Sequence, residues 1–143
     1  MRRVQLGHLV EGKEPVTIER GATVQEAAKK MCQANKGAIL IVAEGRLHGI
    51  FTERDLLNRV VAVGKDPQAT KIDDVMSGYL VVGQPGDDFQ TGLRRMISTA
   101  CRHLPVVEKD RVVGVVSRRD LMAMDILTME EEMDRHDPAS LFI

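Results

Sequence analysis

The chain has 143 residues, 43% of them hydrophobic and 29% charged, with a formal net charge of −1; this suits one compact globular domain, or two small lobes sharing a core, and excludes a disordered chain. Near-zero charge gives no general pull toward nucleic acid or an anionic membrane, and 3% aromatics without a Trp leave few surfaces for stacking bases. Apolar runs are too short to cross a bilayer and "MRRVQLGHLVEGKEP" has no apolar signal-peptide core, so a cytoplasmic protein with neither nucleic-acid nor membrane partners is expected.

In chain order, the first expected element is a short extended piece, "PVTI" at 15–18. A helix follows in "TVQEAAKKMCQAN", opened by Thr23 and Glu26 at capping-box spacing, with Ala27, Ala28 and Met31 on an apolar face. "AILIVA" and "RLHGIF", rich in branched apolar residues and joined at Glu44-Gly45, predict a hairpin. A second helix is expected from Thr52 to about Val63, with Gly64 as its C-cap. "GKDPQATKIDD", with Pro67 and several polar residues, then reads as a loop.

The same series returns. "YLVV" at 79–82 is extended, "DFQTGLRRMIST" is a helix capped by Asp88 and weakened by Gly92, and "LPVVE" and "RVVGVV" form a hairpin turning at Lys109-Asp110. The closing helix outruns its counterpart, continuing through "RRDLMAMDILTMEEEMDRH" until Pro138 ends it. On it, Met122, Ile126, Met129 and Met133 make one apolar stripe, which either packs on its own module or meets a partner subunit. "SLFI" at the carboxyl end is a second apolar element.

The return is an internal repeat at an offset of 65 residues, as from Gly49 to Gly114, and it needs no gap from Val16 to Leu57. It pairs "GIFTERDLL" with "GVVSRRDLM", matching Arg54 with Arg119 and Asp55 with Asp120. Repeat one is expected over 8–64, a linker over 65–74, repeat two over 75–128 and an extension over 129–143.

Two functions fit "TERD" and "SRRD". As capping boxes they start helices and do nothing else. As ligand groups, the helix N-terminus and the hydroxyl of Thr52 or Ser117 attract phosphate, and neighbouring arginines add charge-assisted bonds. The aspartate can accept from two adjacent ribose hydroxyls, and the apolar strand beside it offers a slot for a flat base. A cap can be borrowed by a ligand, so the two are compatible.

The doubled strand–helix–strand–strand–helix unit, with G-h-h-[ST]-x-x-D at its last strand–helix junction, resembles a pair of CBS domains, the regulatory repeats named after cystathionine beta-synthase. "RHLPVVEKDRVVGVVSRRDLM" is close to that family's pattern and "DVMS" before the second repeat is typical of it. The resemblance covers roughly residues 10 to 128; the first repeat departs from it in having Leu40 where the second has Pro105, a change expected to alter the backbone at the mouth of one site.

The resemblance implies an α/β fold in which two β-α-β-β-α repeats, related by a pseudo-twofold axis, form one CBS-pair module with two clefts. Such clefts commonly hold AMP, ADP, ATP or S-adenosylmethionine, and an NAD-type ligand is a further alternative. One cleft would join Val16, Lys36 and Gly37 to Val115, Ser117 and Asp120; the other would join Val81, Arg102 and His103 to Ile50, Thr52 and Asp55. Arg54, Arg118 and Arg119 are candidate phosphate contacts, and Glu53, standing where repeat two has Arg118, makes the clefts electrostatically unequal. The expected protein is a stand-alone, non-enzymatic sensor of an adenine nucleotide that reports to a regulated partner and forms a homodimer through its helices. A ligand-independent scaffold is the alternative from another class, and an unrecognised enzyme is a third.

No catalytic set or Walker loop is present, and His8, His48, His103 and His136 form no metal-ligand spacing. His103 is either a strand-edge residue or a ligand contact. Cys32 and Cys101 fit no metal or redox spacing and are expected to be ordinary thiols, buried like most free cysteines.

Overall fold

A computed structural model of the chain describes residues 4–78 and 80–135. In chain order these form α1 (Leu6–Val10), β1 (Thr17–Glu19), α2 (Val24–Ala34), β2 (Ala38–Ala43), β3 (Arg46–Thr52) and α3 (Glu53–Leu56). A π-helical turn at Leu57–Val61 and a 3-10 turn at Ile72–Asp74 follow, then α4 (Phe89–Thr99), β4 (His103–Glu108), β5 (Arg111–Ser117) and α5 (Arg118–Arg135). Pro138 and "SLFI" lie outside the described residues.

The strands make one five-stranded sheet in the order β1-β2-β3-β5-β4. Its register carries the repeat: Ala38 faces Thr52 as His103 faces Ser117, and both hairpins break register at equivalent places, Ile41/Val42 and Val106/Val107. The halves meet where β3 pairs antiparallel with β5 through Arg46 and Arg111, equivalent residues at the 65-residue offset. Like meeting like is the mark of a twofold relation. Both hairpin turns have two residues at positive φ, Glu44 (55°) with Gly45 (78°) and Lys109 (51°) with Asp110 (66°), the sign that a two-residue type I′ turn requires.

Local signals place the helix starts. Thr23 and Glu26 form the full capping box, with Glu26 N–H donating to Thr23 Oγ1 (3.2 Å) and Thr23 N–H to Glu26 Oε2 (3.0 Å). Asp88 accepts from Thr91 N–H at 2.7 Å. Such caps each contribute about 1 kcal/mol.

Three elements differ from expectation. After Leu56 the first closing helix widens into a π turn, with Ala62 N–H donating to the Leu57 carbonyl (2.9 Å) and Lys65 N–H to that of Val60 (2.9 Å). Val60 is thereby fully buried, and Arg59 donates to the carbonyls of Val75 (3.2 Å) and Met76 (3.1 Å), tying the helix to the inter-repeat segment. Second, the extended piece of repeat two is not a full counterpart of β1; Tyr79 lies outside the described residues and pairing begins only as an isolated bridge from Gly83 to Val106. The reason is Pro105. In repeat one, Leu40 N–H donates to the Val16 carbonyl (3.0 Å); Pro105, at Leu40's equivalent position, has no N–H to offer Val81. Third, both cysteines are free, but Cys32 is exposed and Cys101 only half-buried.

The interior is two cores. Val24, Ala27, Ile39, Ile41, Phe51 and Val60 build the first, and Met96, Leu104, Val106, Val116 and Leu121 the second. The segment before each repeat crosses to the other half. Leu6 and Val10 of α1 are buried in the second core, while Ile72 and Val75 are buried in the first. Glycines make room for these crossings: a Cβ at Gly114 would run into Val10, and one at Gly49 into Met76.

Candidate functional site

A cavity of about 880 Å³ opens between the repeats. Repeat one supplies Ile50 and Thr52 from the end of β3 and Glu53, Arg54 and Asp55 from the start of α3. Repeat two supplies Leu80 and Val81, the connection Thr99 to Arg102, and His103 and Pro105 of β4. The absent Pro105 N–H falls at this site: Val16 is bonded to β2, whereas Pro105 offers no such bond to Val81, and Leu80 and Val81 wall the cavity, Val81 also packing against the second core. Ser77 joins them, fixed by reciprocal bonds with Ile50 (Ser77 N–H to the Ile50 carbonyl, 2.9 Å; Ile50 N–H to the Ser77 carbonyl, 3.1 Å).

All six residues expected in one cleft, Val81, Arg102, His103, Ile50, Thr52 and Asp55, line this cavity, together with Arg54 and Arg119. The other expected set divides. Gly37 and Ser117 open into the same cavity, while Val16, Lys36, Val115, Arg118 and Asp120 do not line it. Val16 packs against the first core, and Val115 faces Pro105 across the β4–β5 pair. Arg118 N–H donates to the Arg102 carbonyl (2.7 Å), just as Glu53 N–H donates to that of Gly37 (3.0 Å). Lys36 borders a smaller pocket of about 230 Å³ with Met31, Cys32 and Leu56; Gly37 and Glu53 line both spaces.

Both capping boxes are formed. Thr52 N–H (3.0 Å) and its hydroxyl (3.1 Å) donate to Asp55 Oδ2, and Asp55 N–H donates back to Thr52 Oγ1 (3.2 Å). In repeat two, Ser117 N–H donates to Asp120 Oδ2 (3.2 Å) and Asp120 N–H to Ser117 Oγ (3.1 Å). Asp55 Oδ1 stands 3.7 Å from Arg59 Nε, so that oxygen keeps acceptor capacity.

Ser77, Leu80, Thr99, Ala100 and Cys101 line the cavity without being among the site residues expected from the sequence. "DVMS" pointed toward Ser77. Ala100 ends α4 with a φ of 55°, in the left-handed region an alanine seldom adopts, which turns the chain back toward Arg102.

Burial holds the His103 imidazole below the usual 6.5; Glu53 and Asp120 oppose this and Arg102 adds to it. The lowered value means that below pH 6.5 the unfolded chain binds the proton more readily than the folded one. The His103 contribution to stability is therefore present above pH 6.5 and is lost as pH falls below it. Denaturant melts of the wild type and His103→Asn, from pH 7.5 down to 5, should converge or cross as the wild type loses relative stability. Parallel curves would exclude this linkage.

Among the described residues no group of three or more His, Cys, Asp or Glu could hold a metal ion, and no helix is long and apolar enough to cross a membrane.

Residues 10–62 and 72–126 each match the family described as "CBS domain". The CBS domain-containing protein YhcV of Bacillus subtilis is 40% identical over 105 residues, covering 73% of this chain and 74% of that protein. Among solved structures, the CBS domain protein PAE2072 from Pyrobaculum aerophilum, complexed with AMP, superposes with a TM-score of 0.75 at 25% identity, covering 82% of this chain and 89% of that one. The hexameric CBS-CP12 protein from bloom-forming cyanobacteria superposes with a TM-score of 0.76 at 26% identity, over 85% of this chain and 71% of that one. The repeat offset, the twofold register of the sheet and these matches agree: the chain belongs to the CBS-domain family and folds as two CBS repeats forming one pair.

Proposed function

We propose that this CBS pair is a regulatory sensor that binds an adenine nucleotide in the cavity between its repeats and transmits occupancy to a partner. The observation that carries the reading is the lining of that one space. Asp55 is available to ribose, Ile50, Val81 and Pro105 present apolar surface to a base, and Arg54, Arg102 and Arg119 offer cationic charge to phosphate. Among the described residues no hydrogen bond or ion pair engages those three guanidinium groups. The volume, about 880 Å³, lies within the ~300–1,000 Å³ typical of small-molecule sites. The AMP complex of PAE2072 supports the same ligand class. Control requires that the nucleotide bind two arrangements of the repeats or the oligomer with different affinity.

Thermal melts with AMP, ADP, ATP, S-adenosylmethionine and NAD test the reading. A ligand at a hundredfold excess over its Kd should stabilise the fold by ~2.7 kcal/mol, roughly 5–10 °C for a chain of this size. Binding of AMP should weaken with added salt, and adenosine should bind less well than AMP. Equal affinity for the two would remove phosphate from the scheme. One observation favours the scaffold alternative: in both capping boxes the hydroxyl residue and the aspartate bond each other's backbone N–H. A panel without any melting shift would select it, and turnover of added ATP would instead indicate an enzyme.

A further inference from the structure

At about 880 Å³ the cavity has room for a nucleotide of any phosphate length, so the charges on its wall are what could distinguish them. Three arginines and two acidic residues line it, Arg54, Arg102 and Arg119 against Glu53 and Asp55. Asp55 is engaged by Thr52 and faces Arg59. Glu53 is different. Among the described residues no hydrogen bond or ion pair holds its carboxylate. That carboxylate lies over Gly37, close enough that a Cβ there would collide with it. It thus stands at the partition between the main cavity and the side pocket bordered by Lys36 and Leu56, lining both. The equivalent residue in repeat two is Arg118, so the pseudo-twofold would have allowed a cation here.

We infer that Glu53 is the selectivity residue of the cavity: its carboxylate limits the negative charge the site accepts, so that a nucleoside monophosphate is preferred over a di- or triphosphate. The inference rests on the nucleotide-sensor reading and adds to it which phosphate length is read. One phosphate can be met by the arginines. Each further phosphate brings more negative charge toward a carboxylate that no cation among the described residues pairs with; Glu53 is exposed, so solvent moderates the repulsion without removing it at the short range of a bound ligand.

The test is calorimetric titration of the full chain with AMP, ADP and ATP, without divalent cations so that phosphate charge is not masked. The wild type should bind AMP about tenfold or more tighter than ATP. Glu53→Gln should bring the two affinities to within about threefold, mainly by strengthening ATP, and Glu53→Arg should favour ATP. Glu108→Gln, an exposed carboxylate at the end of β4 away from the cavity, should keep the wild-type ratio. Melting curves establish that each variant is folded. If the wild type binds nucleotides but the AMP-to-ATP ratio is the same in Glu53→Gln and Glu53→Arg, Glu53 is not the selectivity residue and the sensor reading stands. If the wild type binds none of the three, both fall together.

Discussion

Alanine at Asp55 is expected to weaken nucleotide binding about ten- to a hundredfold, while alanine at Asp120 leaves it nearly unchanged. A hydrogen bond to a charged acceptor is worth ~1.5–3 kcal/mol, which sets that range. The two aspartates make matched experiments because both close a capping box, Asp55 with Thr52 and Asp120 with Ser117. Each substitution should therefore cost about 1 kcal/mol of stability from the lost cap. Only Asp55 lines the cavity, so only Asp55→Ala should also lower affinity. In the wild type, 2′-deoxy-AMP should bind more weakly than AMP, because the acceptor then lacks one hydroxyl partner. Calorimetry on the two variants decides it: unchanged affinity in a folded Asp55→Ala would end the ribose assignment, and equal losses in both would trace the effect to the caps.

The second large effect expected is on assembly. The stripe on α5 is exposed in the single chain, Met122 at 51%, Ile126 at 55%, Met129 at 56% and Met133 at 59%, so it does not pack on its own module. Leu57 and Val61 on the first closing helix, the equivalents of Met122 and Ile126, are exposed too, at 59% and 61%. Large exposed apolar side chains grouped on helix faces mark association, and a twofold dimer is the commonest closed arrangement. We propose a homodimer joined through these faces. Sedimentation at micromolar concentration should give about twice the 15.9 kDa chain mass. The double substitution Ile126→Asp with Met129→Asp should raise the dimer Kd roughly a hundredfold or more, because each charge loses water in the seam without a partner. A wild-type monomer at high concentration would sink the proposal. A hexamer, the state of the cyanobacterial CBS-CP12 protein, would replace the dimer with a larger closed assembly. A dimer indifferent to the substitutions would move the seam elsewhere.

The features legible in the sequence are those set by residues a few positions apart. Capping at Thr23 and Asp88 depends on a side chain reaching the N–H three residues on, and both caps form. The two hairpins depend on short branched-apolar runs around a two-residue turn, and both form. The 65-residue repeat defines the duplicated unit, and the same offset relates the residues that meet at Arg46 and Arg111.

Contacts between distant segments decided the rest. Nothing local in "LGHLV" says that Leu6 and Val10 complete the core of the second repeat; glycines without a Cβ admit them, Gly114 for Val10 and Gly83 and Gly92 for Leu6. The π turn after Leu56 serves the burial of Val60 and the reach of Arg59 to Val75 and Met76, which are brought near by the path of the linker. The difference between Leu40 and Pro105 was visible as two letters. It implied a changed backbone at the mouth of one site but not which bond is lost, because a missing N–H matters only where a parallel neighbour waits to accept from it. Leu40 N–H holds the Val16 carbonyl in repeat one, Pro105 has no N–H to offer Val81 in repeat two, and it is Pro105 and Val81 that line the cavity shared by the repeats.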